Sequence, residues 1–144
     1  MSTDRLSLSH PVSNALPYRG TFVITESVVA LGAVVGTVQL FTGTAAPPIS
    51  ALESLGLTSW VLPGAWLFTS VAVPSTVAAR LAWRSSPHTP VAVMVASGAL
   101  AVELLVQIPF LGPSVLQGVF GTVAVVMAAL AVRARRDGGW RQTA

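Results

Sequence analysis

Two residues one helical turn apart, Glu103 and Gln107, are where chemistry is most easily placed in this chain. They interrupt residues 91–110, VAVMVASGALAVELLVQIPF, a stretch that is otherwise almost wholly apolar and long enough to cross a bilayer. A carboxyl group inside a membrane span is expensive, so it marks a function unless a structural duty explains it. Such a group can bind the polar end of a ligand or carry a proton. It can also hydrogen-bond an amide and hold two helices together, a contact worth only about 0.6–2 kcal/mol. Gln39 and Gln117 place further amides near the ends of two other apolar stretches, and Glu26 is a second intramembrane carboxyl.

Other chemistry has little to work with. There is no cysteine, which removes disulfides, thiolate metal sites and thiol nucleophiles. No phosphate-binding glycine loop, HExxH, GxSxG or metal-ligand spacing occurs. His10 and His88 fall in a tail and a loop and read as surface residues. No metal or cofactor is therefore expected. An intramembrane enzyme would need a second polar catalytic group within hydrogen-bond reach of Glu103.

The elements that position these residues follow from composition. Of 144 residues, 53% are hydrophobic and 9% charged, against about 25% charged in soluble domains. The mean hydropathy is +0.73. About 20 residues of α-helix cross the hydrocarbon core, and four stretches qualify, roughly 21–43, 63–83, 91–110 and 114–132. Span 1 carries a GxxxG at Gly32 and Gly36, a spacing that permits close helix approach. Pro63 suits the first turn of span 2, and Pro74 should kink it by deleting a backbone hydrogen bond. In the connector 44–62, Ile49, Leu52 and Leu55 recur every third residue, which suggests a short amphipathic helix on the membrane surface. The turn 111–113 between spans 3 and 4 is very short. The expected fold is all-α: an up-down bundle of four transmembrane helices with a short amphipathic helix in the first outer loop. Residues 1–20 and 134–144 read as polar tails flanking the transmembrane domain 21–133.

All eight basic residues are arginines, and all fall at span ends. Arg5 and Arg19 precede span 1, Arg80 and Arg84 lie between spans 2 and 3, and Arg133, Arg135, Arg136 and Arg141 follow span 4. They read as topology signals and not as a nucleic-acid face. The absence of lysine and the wealth of Ala, Val and Gly suggest a GC-rich bacterial genome, hence an inner membrane, and the positive-inside rule puts both termini on its cytoplasmic side. Helical rise then places Gln39, Glu103, Gln107 and Gln117 in the outer half of the bilayer, where they would form a polar pocket among spans 1, 3 and 4. Glu26 lies about 8 Å from the cytoplasmic end by the same rise, within reach of an ion pair with Arg19 or Arg80.

At PGAWL (residues 63–67) and VQIPFLGPSVLQ (residues 106–117) the chain resembles a broad group of small four-helix bacterial inner-membrane proteins with no assigned activity. Their shared pattern is a Gly-rich span 1, an outer loop with a short helix, a PG opening span 2 and a Gln late in span 3. Here these are Gly32 and Gly36, residues 49–57, Pro63-Gly64 and Gln107. The resemblance covers most of residues 28–132, implies the four-helix architecture and carries no activity. Where Glu103 stands, the group usually has an aromatic residue.

The expected role is that of a non-enzymatic accessory or assembly subunit of a larger membrane complex, with a membrane-protein partner or a second copy of the chain. The alternative is a binder or carrier of a small lipophilic molecule in an outer-leaflet pocket around Glu103. The bilayer is a partner in either case.

Overall fold

In hydrocarbon there is no water to satisfy a peptide group, so a spanning chain must close its hydrogen bonds within a helix or a closed barrel. The computed structural model describes residues 16–139, and among them all regular structure is helical. Four helices are long and apolar enough to cross a membrane. Span 1 is α1 (Arg19–Thr42), and span 2 joins α2 (Val61–Leu67), a π-turn (Phe68–Ala72) and α3 (Val73–Trp83). Span 3 is α4 (Thr89–Leu111) and span 4 is α5 (Val115–Gly139). The chain is a multi-pass four-helix membrane bundle. Successive spans run in opposite directions, so the described arginines gather at one end, called here the arginine end. The segment joining spans 1 and 2 lies at the other, the connector end. Arg5, Arg141, His10 and Trp140 lie outside the described residues.

Local chemistry sets the helix ends. Gly43 at φ +72° stops α1, where a side chain would be strained. Gly112 at φ +71° turns the chain after α4. The next helix opens on a reciprocal cap: the Gln117 backbone N–H donates to Ser114 Oγ at 3.2 Å, and the Ser114 N–H donates to Gln117 Oε1 at 2.9 Å. This is the S-x-x-Q capping box, which satisfies two otherwise orphaned donors.

Pro74 acts through the turn before it. In an α-helix its ring would press on the carbonyl of Ser70, to which it has no N–H to offer. Instead the helix widens over Phe68–Ala72, and the Val73 N–H bonds back five residues to the Phe68 carbonyl. The connector helix also differs from a simple amphipathic α-turn. Ile49–Leu55 forms a 3₁₀-helix, whose three residues per turn match the three-residue apolar spacing. Leu52 is its inward residue, 1% exposed. Gly56 at φ +66° ends it. Trp60 closes the loop by donating from Nε1 to the Pro47 carbonyl at 2.8 Å.

Two apolar clusters fill the bundle. Towards the arginine end, Phe22 packs among Ala78, Ala82, Val93 and Ala131, small residues that let backbones approach. Further along, Val29, Ala33, Val71, Ala72, Leu100 and Ala124 form a second layer. Span 1 packs mainly on span 2, span 3 sits between spans 2 and 4, and span 4 is the least buried. Only half of the GxxxG is used within the chain. A Cβ at Gly32 would meet nothing within 4 Å, whereas one at Gly36 would lie 3.2 Å from Leu67 Cδ2. The closest approach is at Gly64, where a Cβ would lie 2.7 Å from Phe41 Cε1. Thr37 reinforces it, its Oγ1 lying 2.8 Å from the Ala33 carbonyl and 3.3 Å from that of Gly64.

Candidate functional site

Glu103 lies on the buried stripe of α4 and is 7% exposed. Its two oxygens find different partners. Gln107, one turn on, donates from Nε2 to Glu103 Oε1 at 3.1 Å, as the i, i+4 spacing allows. Ser70, in the π-turn of span 2, brings its Oγ within 3.3 Å of Glu103 Oε2. The same hydroxyl lies 2.8 Å from the Trp66 carbonyl. One hydroxyl hydrogen cannot serve both acceptors in full, and the shorter bond goes to the backbone.

Beside this cluster is a cavity of about 380 Å³, within the roughly 300–1,000 Å³ range of small-molecule sites. Four elements wall it. Leu40 comes from the end of span 1, and Leu52, Leu55, Leu57 and Trp60 from the connector. The first turns of span 2 add Leu62, Pro63, Trp66 and Leu67, and the last turns of span 3 add Glu103, Val106, Gln107, Phe110 and Leu111. Leu62, Trp66 and Leu111 are also exposed on the outer surface and form part of its rim. The walls are apolar except at Glu103 and Gln107. Such a site can take a hydrocarbon body and fix one polar group. The Ser70 hydroxyl is held chiefly by the Trp66 carbonyl, and the one carboxyl within its reach, Glu103, is shared with Gln107.

Of the four residues expected to form a polar pocket, the structure brings together Glu103 and Gln107 and leaves Gln39 and Gln117 elsewhere. Gln39 is exposed on α1, and Gln117 is taken by the capping box at the start of α5. The cavity therefore lies between the end of span 1, the connector and spans 2 and 3, not among spans 1, 3 and 4. Span 4 packs chiefly along span 3 and does not wall it. Ser70 and the connector leucines were not anticipated as site residues. The connector's three-residue spacing was a signal for them; Ser70 is positioned by the turn that Pro74 widens.

Glu26 lies at the depth that helical rise gives it but lacks the expected arginine partner. It is 3% exposed and faces the bundle interior. Arg19 instead donates from a guanidinium nitrogen to the Trp83 carbonyl at 2.7 Å, and Arg80 is exposed. Depth alone gives the expected ion pair; the helix phase turns the carboxyl inward, away from both arginines. There it lines a cavity of about 10 Å³ with Ser75 and Ser97. Those serines are 1% and 3% exposed, and neither hydroxyl has a hydrogen-bond partner among the described residues. No protein-family model matches this chain, and no curated protein or solved structure is significantly similar to it.

Proposed function

We propose that this membrane protein binds one small lipophilic molecule, with its apolar body among the connector leucines and its polar group at Glu103 and Gln107. The observation that carries the reading is the cavity of about 380 Å³ with both of its polar lining residues on one turn of span 3. The 3₁₀-helix roofs it without closing it, so a ligand can enter past Leu62, Trp66 and Leu111. In this reading the protein sits in a bacterial inner membrane with the arginine end and both termini in the cytoplasm. The cavity then belongs to the outer half of the bilayer, next to the lipid from which a lipophile would come.

Native mass spectrometry of the full chain, extracted from its host membrane in mild detergent, tests this. A stoichiometric small molecule should accompany the wild-type protein and be depleted in Glu103→Gln and in Val106→Trp, which fills the cavity. Equal occupancy in all three, or none in the wild type, would sink the proposal.

A second reading, an accessory subunit of a larger membrane complex, has its own support. Gly118, Thr122, Val125 and Ala129 form a stripe of small and β-branched residues exposed on span 4, the kind of surface on which membrane helices associate. The same spectra decide it: a stoichiometric protein companion that Val125→Trp removes, with the small-molecule complement unchanged, would favour this role.

A further inference from the structure

The second polar cluster is independent of the connector-end cavity. We infer that Glu26, Ser75 and Ser97 bind one small monovalent cation, a proton or a sodium ion, inside the bundle towards the arginine end. Three helices bring oxygen atoms to one point: the carboxyl of Glu26 from α1, the hydroxyl of Ser75 from α3 and that of Ser97 from α4. Both hydroxyls are almost wholly buried; that of Ser97 has no partner among the described residues, and that of Ser75 has only the Glu26 carboxyl beside it, outside strict hydrogen-bond geometry. Buried polar groups in folded proteins are nearly always satisfied, so one orphaned and one poorly partnered hydroxyl lining the same small cavity call for a bound species between them.

Size and charge narrow the species. A volume of about 10 Å³ is close to that of a single water-sized particle, which excludes an organic ligand and leaves a water or a small ion; the carboxyl of Glu26 favours the ion. The donors are all oxygen, which suits a hard cation. The remaining walls are Val29, Ala96, Leu100, Val123, Ala124 and Met127, so among the described lining residues Glu26 is the one ionisable group. From each packed element, what faces Glu26 is Ser75 on α3, Ser97 on α4 and apolar side chains on α5. A single carboxylate balances a single positive charge. A calcium ion would want six to eight oxygens and more negative charge than one carboxylate supplies. A proton would convert Glu26 to a carboxylic acid able to donate to a serine; a sodium ion would take the carboxylate and both hydroxyls as ligands and would be under-coordinated by them alone, so the proton is the better fit. Helical rise puts Glu26 about 10 Å from the start of α1, so the site lies within the membrane but nearer the arginine end.

The full chain in lipid nanodiscs provides the test, read as the midpoint of thermal unfolding. Sodium is exchanged for choline at constant ionic strength, and pH is varied in choline alone. A bound cation stabilises the folded state by mass action, so the wild-type midpoint should rise by several degrees with sodium, with falling pH, or with both. Glu26→Gln should remove that response and Ser97→Ala should weaken it. A sodium response at fixed pH identifies sodium. A pH response alone, with a carboxylic-acid carbonyl stretch in the infrared that Glu26→Gln deletes, identifies the proton. Identical responses in the wild type and Glu26→Gln would overturn the inference. If Glu26→Gln does not fold, an unaltered response in Ser97→Ala would overturn it instead.

Discussion

Glu103 and Glu26 are the same residue type, and both are nearly buried, 7% and 3% exposed, yet their surroundings are opposite. Glu103 has an amide and a hydroxyl within hydrogen-bond distance and a cavity of about 380 Å³ beside it. Glu26 has beside it the orphaned hydroxyl of Ser97, the loosely partnered one of Ser75 and a cavity of about 10 Å³. The first site has partnered, though not saturated, polar groups and unfilled apolar space, so what it lacks is chiefly hydrocarbon. The second has almost no space and unsatisfied oxygens, so what it lacks is a small polar or charged particle. Burial alone marks both carboxyls as suspects. Hydrogen-bond satisfaction and volume, taken together, separate the kinds of ligand.

The sharpest way to break this comparison is to add bulk at each site. Ser97→Leu forces extra heavy atoms into the smaller cavity, and overpacking of this kind typically costs about 1–3 kcal/mol. The unfolding midpoint should fall by several degrees. Val106→Phe adds bulk to the larger cavity and should change stability by less than about 0.5 kcal/mol, while abolishing retention of the lipophile. A stable Ser97→Leu would mean that the inner cluster is roomier than its geometry indicates, and the contrast between the sites would fail.

The next effect in size is on binding. Glu103→Gln keeps the volume and the hydrogen-bonding capacity towards Gln107 and Ser70, so the fold should persist. A lost hydrogen bond to an ionisable group is worth about 1.5–3 kcal/mol, so affinity for the co-purifying lipophile should fall by about tenfold or more in a competition assay. Unchanged affinity would reduce Glu103 to a helix-holding contact.

What could be read beforehand, and what could not, follows from the solvent. The bilayer demands long apolar helices, so the four spans and their arginine ends stand out in composition. Glu103 and Gln107 also read as neighbours, because i, i+4 adjacency is a local property of α4. Inward-facing sides are harder. These spans are apolar almost all round, so periodicity does not mark the core: depth alone puts Gln39 inside, though it is exposed, and pairs Glu26 with arginines, though it faces the interior. Ser70 depends on a π-turn whose cause, Pro74, was visible but whose form was not. Gln117 was legible as the last residue of S-x-x-Q, but depth alone assigned it to the pocket.

Loosening the roof should have a smaller effect than removing the carboxyl. Trp60→Phe deletes the bond to the Pro47 carbonyl while keeping most of the apolar wall. A net contribution of about 0.5–1.5 kcal/mol for such a bond implies a several-fold faster ligand release, measurable as dissociation into empty nanodiscs. The inner site should not notice: the sodium and pH responses assigned to Glu26 should be those of the wild type. A change in them would mean that the two clusters are coupled through the apolar layer of Val29, Val71 and Leu100.

The smallest effects are expected at the two glutamines that lie outside the cavity. Gln117→Ala removes one half of the capping box and should cost about 0.5–1 kcal/mol, seen as a slight fall in the unfolding midpoint. Ligand retention should be untouched, because α5 contributes no wall to the cavity. Gln39→Leu replaces an exposed amide in span 1 by an apolar side chain, which hydrocarbon tolerates better, so stability should hold or rise slightly. Depletion of the lipophile by either substitution would show that the polar residues of the connector end act together after all, and would return the site to the face shared by spans 1, 3 and 4.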